Sequence, residues 1–250
     1  MQFTVSGETI VVNVPTWSAL ESRVSESLAK KKGFALATIN LDHLVKLRTS
    51  PEFLDAYLAQ DMVVADGNPI VWMSKAAARP VELIPGSDAI LPLARIAADQ
   101  GVPVAFVGST QESLGAAKDF LEQEVPGLQV ACCIAPPMGF DPAGSDAAAI
   151  MKQVEISGAG MCFIALGAPK QEIFAATGRR VCPTVGFASI GAGLDFFAGT
   201  QKRAPSWTRK FALEWLWRGA SNPKRLGPRY LKCVMIFPGQ MWNAFKMRFG

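Results

Sequence analysis

Over the first two hundred residues, short unbroken apolar runs alternate with stretches in which apolar residues recur every three or four positions. The runs are FALATI (34–39), MVVAD (62–66), PVAFVG (103–108), LQVACCI (128–134), GMCFIAL (160–166) and TVGFASI (184–190). Their length and the lack of a polar alternate face predict strands buried on both sides. Between them the spacing is helical. Trp17, Leu20, Val24 and Leu28 share one face of a helix over 17–31, and Ser18 and Glu21 have capping-box spacing. A helix runs through Leu44 and Leu47, and another starts at Ser50-Pro51, with serine as N-cap and proline in the first turn. Asn68-Pro69 restarts a helix after the second run, and Ser109 with Glu112 caps the one after the third. Ahead of all this, FTVSGETIVVNV alternates around Ser6-Gly7 and predicts a small β-hairpin. The expected fold class is therefore α/β: a Rossmann-like, mostly parallel sheet of about six strands with helices on both faces.

Right-handed crossovers place the C-terminal ends of all such strands on one edge, where ligands of these sheets bind. The residues expected there are polar or small. They are Thr38, Asn40 and Asp42 after the first run, and Asp66-Gly67-Asn68-Pro69 after the second. Gly108, Ser109 and Thr110 follow the third, and Gly191-Ala192-Gly193 with Asp195 follow the last. The fifth run leads into Gly167-Ala168-Pro169-Lys170-Gln171-Glu172. A lysine in the first turn of a helix opposes the macrodipole. An anionic ligand resolves that conflict, since backbone N–H groups and the ammonium can both face a phosphate. Each residue also has a plain structural reading: Asn40 or Asp42 as a cap, Asp66 as a turn residue, Lys170-Gln171-Glu172 as a solvated first turn, His43 as a structural histidine.

Charge divides the chain unevenly. Residues 1–200 carry 14 Lys+Arg against 20 Asp+Glu, a net of −6, whereas residues 201–250 carry 11 Lys+Arg and the single acid Glu214, a net of +10. The second stretch also holds Trp207, Trp215, Trp217 and Trp242, with Phe237, Phe245 and Phe249. Cations interleaved with aromatics suit an anionic membrane surface. The expected division is an α/β catalytic domain over 1–200 and a basic, tryptophan-rich helical appendage over 201–250. In that appendage CVMIFPGQMWNAF (233–245) is interrupted by Pro238 and Gly239, so it is expected to lie on a bilayer and not cross it. No run reaches the roughly 18 apolar residues of a spanning helix. The five cysteines, Cys132, Cys133, Cys162, Cys182 and Cys233, form no CxxC pair and read as free thiols. The expected place is the cytoplasm, peripheral on the inner face of the cell membrane.

Several chemistries find no support. There is no Asp-x-Asp, no Gly-x-Ser-x-Gly, no GxGxxG or Walker lysine, and one histidine. What remains is carboxylate acid/base work on a phosphate-bearing ligand held by backbone and cationic groups, with no cofactor and no metal site.

TINLDHL, VVADGNPIVW, PGSD, FVGST, GAPKQE, GAGLDFFAGTQKRAPSW and LEWLWR…NPKRLGPRY, in this order, resemble the WecG/TagA/CpsF glycosyltransferases, family 26. The resemblance covers nearly the whole chain, and GAPKQE with the KRAPSW…LEWLWR block is specific in combination. It implies an inverting, metal-independent transfer from a UDP-sugar donor, of the UDP-N-acetylmannosamine type or UDP-glucose. The acceptor would be a polyprenyl-diphosphate-linked sugar such as one on undecaprenyl diphosphate, in surface polysaccharide synthesis. By motif, Asp66 corresponds to the general base, with Thr38 and Asn40 beside it and Gln171 in the PKQE motif. Direct displacement follows: Asp66 takes the acceptor hydroxyl's proton and UDP leaves from the opposite face. The departing diphosphate would be met by backbone N–H groups near Gly167, Pro169 and Lys170, by Gln171 and by tail arginines among Arg203, Arg218, Arg225 and Arg229; Gly108, Ser109, Gly191 and Asp195 are further substrate-binding candidates at the same edge. One departure stands out. The family often has an arginine in R-V-x-G-S-D, and this chain reads Leu83-Ile84-Pro85-Gly86-Ser87-Asp88. Two other classes fit parts of the pattern: a nucleotide-sugar-binding module without catalysis, which has little use for Asp66, and a nucleic-acid binder driven by the basic tail. The aromatic content of the tail argues against nucleic acid as partner.

Overall fold

Each of the six apolar runs forms a strand, and the chain ahead of them forms the hairpin. A computed structural model of the protein describes residues 1–199 and 223–249, the side chains of the second stretch from residue 226. Strands β1 (Gln2–Val5) and β2 (Glu8–Val11) pair antiparallel, with Gln2 opposite Val11 and Val5 opposite Glu8. Ser6 and Gly7 both have positive φ, 51° and 88°, as a tight two-residue hairpin turn requires. Strands β3 (Phe34–Ile39), β4 (Met62–Ala65), β5 (Val104–Gly108), β6 (Val130–Ile134), β7 (Met161–Ala165) and β8 (Gly186–Ser189) form the main sheet. Its order is β4-β3-β8-β7-β5-β6, and every pairing is parallel.

Ten helices occur among the described residues: α1 (Trp17–Ala29), α2 (Leu41–Leu47), α3 (Pro51–Leu58), α4 (Asn68–Ala76), α5 (Gly86–Asp99), α6 (Gln111–Glu124), α7 (Ser145–Ile156), α8 (Lys170–Val181), α9 (Gly193–Phe197) and α10 (Pro223–Lys246). Strand residues alternate between the two layers these helices make. Phe34, Leu36, Phe106 and Phe163 pack with α1, α5, α6 and α9. Ala35, Ala105, Val107 and Ile164 pack with α7 and α8, and Ala37 and Ile39 with the hairpin, α2, α3 and α4. Both faces are covered, so strands without a polar face are the stable solution. Of the six main-sheet strands, β6, at an edge, alone keeps most of its side chains part-exposed or exposed.

Three local expectations need correction. The cap of α1 is Thr16, whose hydroxyl accepts from Ala19 N at 3.2 Å, and not Ser18, which already lies inside the helix. The cap of α6 is Thr110, accepting from Ser113 N at 3.2 Å. Ser109 is unavailable because its backbone, at φ 50°, turns to donate its N–H to Ala165 O. Finally, Pro238 and Gly239 do not break the tail segment: α10 continues through both Pro228 and Pro238 for 24 residues. An internal proline forfeits one ladder bond. Packing holds α10 together instead, since it lies against α2 and α4 with Cys233, Gln240 and Ala244 buried. No helix among the described residues is long and apolar enough to cross a membrane. All five cysteines are free thiols; Cys162, Cys182 and Cys233 are buried, and Cys132 and Cys133 on β6 are partly exposed.

Candidate active site

The C-terminal ends of the strands form one rim. At its β3–β4 side, Thr38 is buried near the end of β3 and Asn40 caps α2, its Oδ1 accepting from His43 N at 3.0 Å. The other end of that amide points across the strand gap: Asn40 Nδ2 donates to Asp66 Oδ2 at 3.2 Å. Asp66 is half-buried, and its own N–H donates to Ile39 O at 2.8 Å, continuing the β3–β4 ladder one step past the strands. Gly67 then takes φ 111°, which a side chain would oppose, and α4 starts with no side-chain cap. The sequence thus builds an anchored carboxylate beside an open helix N-terminus.

Beneath this group lies a buried polar layer. The Thr38 carbonyl accepts from the Tyr57 hydroxyl, and His43 Nδ1 lies 2.8 Å from both that carbonyl and that hydroxyl. Burial drives His43 down to about 4, so its ring is neutral near pH 7 and serves as a hydrogen-bonding spacer, as the structural reading expects. Burial also raises the Tyr57 phenol, with the neighbouring Glu172 and Asp66 charges adding to the effect.

At the β7–β8 side, Gly167 (φ 72°) and a cis Ala168-Pro169 peptide lead into α8. Lys170 Nζ donates to Phe140 O at 2.6 Å, tying the loop after β6 to the rim. Gln171 is buried. Its Oε1 accepts from Gly191 N at 3.0 Å, and its Nε2 donates to Glu172 Oε1 at 2.8 Å. Its amide therefore braces the turn after β8. Between the two sides, a Cβ at Gly108 would collide with the Ala165 carbonyl, so only glycine lets β5 end so close to β7. The Ser109 hydroxyl donates to Asp195 Oδ1, joining the end of β5 to α9, the helix that follows β8.

The structure thus brings together Thr38, Asn40 and Asp66; Ser109 and Asp195; and Gln171 and Gly191. Gly167, Pro169 and Lys170 stand at the same rim, but Lys170 is turned to a protein carbonyl. Arg229 on α10 meets the rim through Asp42, its Nε 2.8 Å from Asp42 Oδ1. Arg203 and Arg218 lie outside the described residues, as does the side chain of Arg225. Sequence reading gave no partner to Lys46, which pairs with Asp42 Oδ2 at 2.8 Å and donates to Ala168 O at 3.1 Å. The Asp42–Lys46 spacing of four on a helix was the available signal. Where the family often has arginine, Leu83 O accepts from Trp17 Nε1 and Ile84 is buried with its N–H on Ala65 O, so this segment is folded into the core. Among the described residues no cluster of three His, Cys, Asp or Glu is arranged to hold a metal ion.

A parallel α/β sheet with polar groups gathered on its carboxyl edge defines a ligand-binding α/β protein. Comparison with known proteins makes the class specific. The profile of the glycosyl transferase WecG/TagA/CpsF family matches residues 7–249, and the chain belongs to that family: it is a glycosyltransferase. It is similar to the N-acetylglucosaminyldiphosphoundecaprenol N-acetyl-beta-D-mannosaminyltransferase of Bacillus spizizenii, at 27% identity over 83% of this chain and 81% of that one. The proteins of the same name from Bacillus subtilis and Staphylococcus aureus are 26% and 28% identical, covering 86% and 81% of this chain and 82% and 77% of theirs.

Proposed function

We propose that this glycosyltransferase moves a sugar of the N-acetylmannosamine type from its UDP donor to a sugar on a polyprenyl diphosphate, with inversion and without a metal. The names of the three relatives support the donor and acceptor classes. The observation that carries the mechanism is the Asn40–Asp66 pair at adjoining strand ends. Asn40 fixes one carboxylate oxygen, which orients the group as a general base. Asp66 takes the proton of the acceptor hydroxyl, the oxygen attacks the anomeric carbon, and the C–O bond to UDP breaks on the opposite face. In this reading the open start of α4, the Gly167–Lys170 segment and the Ser109–Asp195 junction orient the donor. Arg203, Arg218, Arg225 and Arg229 are the tail cations proposed to meet the diphosphate charge. Arg229 does so from beside Asp42.

The exposed side chains of α10 support a membrane surface as partner. Leu231, Val234, Met235, Trp242 and Phe245 are exposed along one helix that carries no acidic residue. Binding to anionic liposomes at low salt measures this contact, and its absence removes the membrane from the proposal. For the reaction, the enzyme is incubated with a panel of UDP-sugars and a short-chain polyprenyl-diphosphate sugar, with excess chelator present. A mass increment of one N-acetylhexosamine is expected. No product with any UDP-sugar, or product only after magnesium is restored, overturns the reading.

A further inference from the structure

Glu172 is fully buried at the start of α8. Its Oε1 accepts from Gln171 Nε2 at 2.8 Å, while its Oε2 has no hydrogen-bond partner. Gln60 lies against the same residue, donating from Nε2 to the Glu172 carbonyl at 3.1 Å, and Gln60 Oε1 is likewise buried without a partner. Each of these buried acceptors without a partner is costly. One proton on Oε2 turns one of them into a donor. From Gln171 the chain of contacts continues to Gly191 N, at φ 61° in the turn after β8. That turn is closely confined: Gly193 sits against Ser87 at the start of α5, and a Cβ at Gly86 would press on Ile190.

We propose that Glu172 is a positioning residue whose buried carboxyl holds the Gln171 amide and through it the Gly191 turn, setting the shape of the donor side of the rim. The role rests on the reading of the rim as the UDP-sugar site. Burial raises Glu172 to about 7, opposed by the Gln171 hydrogen bond and by Lys46. The groups facing it are Lys46 from α2, Tyr57 from α3, Gln60 just after α3, and Gln171 on its own helix. A carboxyl raised in the folded state from the ordinary value near 4.5 favours folding most below pH 4.5, and that advantage is lost as pH rises through about 7. Above neutrality a charge develops in a dry site with one oxygen unpaired; the Gln171 hydrogen bond itself strengthens, but the cost of burying the charge favours opening the site to water, and that opening loosens the lock.

The test compares wild type, Glu172→Gln, Glu172→Ala and, as a control for lost stability, Val154→Ala on the far side of the same layer. Calorimetry with UDP from about pH 6 to about pH 9, melting curves and the amide resonances of glycine-labelled protein are the readouts. Glutamine keeps the acceptor and cannot ionise. It is expected to hold UDP affinity within about twofold of the pH 6 wild type and to melt about 5 °C above wild type at pH 8. Alanine is expected to shift the Gly191 resonance and weaken UDP about tenfold, while Val154→Ala leaves affinity unchanged. A Glu172→Gln protein that repeats the wild-type pH dependence overturns the proposal, as does Glu172→Ala with an unmoved Gly191 resonance. A moved Gly191 with unchanged UDP affinity overturns the role in binding while leaving the lock. If UDP shifts no rim glycine in wild type, the reading of the rim is what has failed.

Discussion

The two sides of the rim are held by different forces. On the β3–β4 side the fixed groups are ions or their neighbours: Asp66 against Asn40, and Asp42 bridging Lys46 and Arg229. On the β7–β8 side the fixed groups are a neutral amide, a buried carboxyl and one ammonium held by a backbone carbonyl: Gln171 on Gly191, Glu172 accepting from Gln171, Lys170 on Phe140 O. A part-exposed carboxylate can exchange protons with a substrate, and a buried amide network holds backbone in place without trading charge with the ligand. In the proposed mechanism this difference gives proton transfer to one side and shape to the other. It also predicts different kinds of failure, kcat on the first side and donor affinity on the second.

Asp66→Asn gives the largest effect. The amide keeps the size of the carboxylate and can still meet Asn40, so folding and UDP affinity should stay near wild type. Turnover should fall about 10²- to 10⁴-fold, the usual contribution of a placed base. Single-turnover rates over a pH series decide it. A variant with near-normal rate throughout would erase the division between the sides.

Lys170→Ala is next. Its ammonium is anchored on Phe140 O, so the substitution frees the loop after β6 and removes a cation from the start of α8. UDP binding should weaken about tenfold, or about 1.4 kcal/mol, with kcat for bound donor changed much less. Titration calorimetry with UDP separates the cases, and equal losses in kcat and affinity would put Lys170 with the chemistry.

Much of this was readable in the chain. All six strands were, because a strand buried on both faces leaves an unbroken apolar run such as FALATI or GMCFIAL. The rim residues followed from topology alone. The caps of α1 and α6 were misplaced by one or two positions because each helix start offers two hydroxyl residues, Thr16 and Ser18, Ser109 and Thr110. The choice between the latter two is made by tertiary contact, Ser109 being drawn to Ala165 and Asp195. The continuity of α10 through Pro238 was hidden for the same reason, since neighbouring helices and not local propensity keep it wound. The Gln171–Gly191 brace and the Asp42–Arg229 pair join residues 20 and 187 positions apart, and no local pattern marks either.

The smallest predicted effect concerns that last pair. Asp42 is buried at the start of α2 and holds two cations, Lys46 on one oxygen and Arg229 on the other. Lys46 in turn donates to Ala168 O, so α10 is linked through Asp42 to the loop that begins α8. Removing Arg229 leaves Asp42 still paired with Lys46, and Arg229 is itself 42% exposed in its side chain, so solvent already screens the contact. Arg229→Ala should therefore cost only about 0.5–1 kcal/mol, and the cost should shrink between about 0.05 M and about 0.5 M salt as screening takes over. Asp42→Ala releases both cations and should cost more. A double-mutant cycle on denaturant midpoints at the two salt concentrations measures the coupling. Coupling that is absent at low salt, or undiminished at high salt, would mean that α10 is held to this side by packing alone and that the ionic character of the β3–β4 side ends at Lys46.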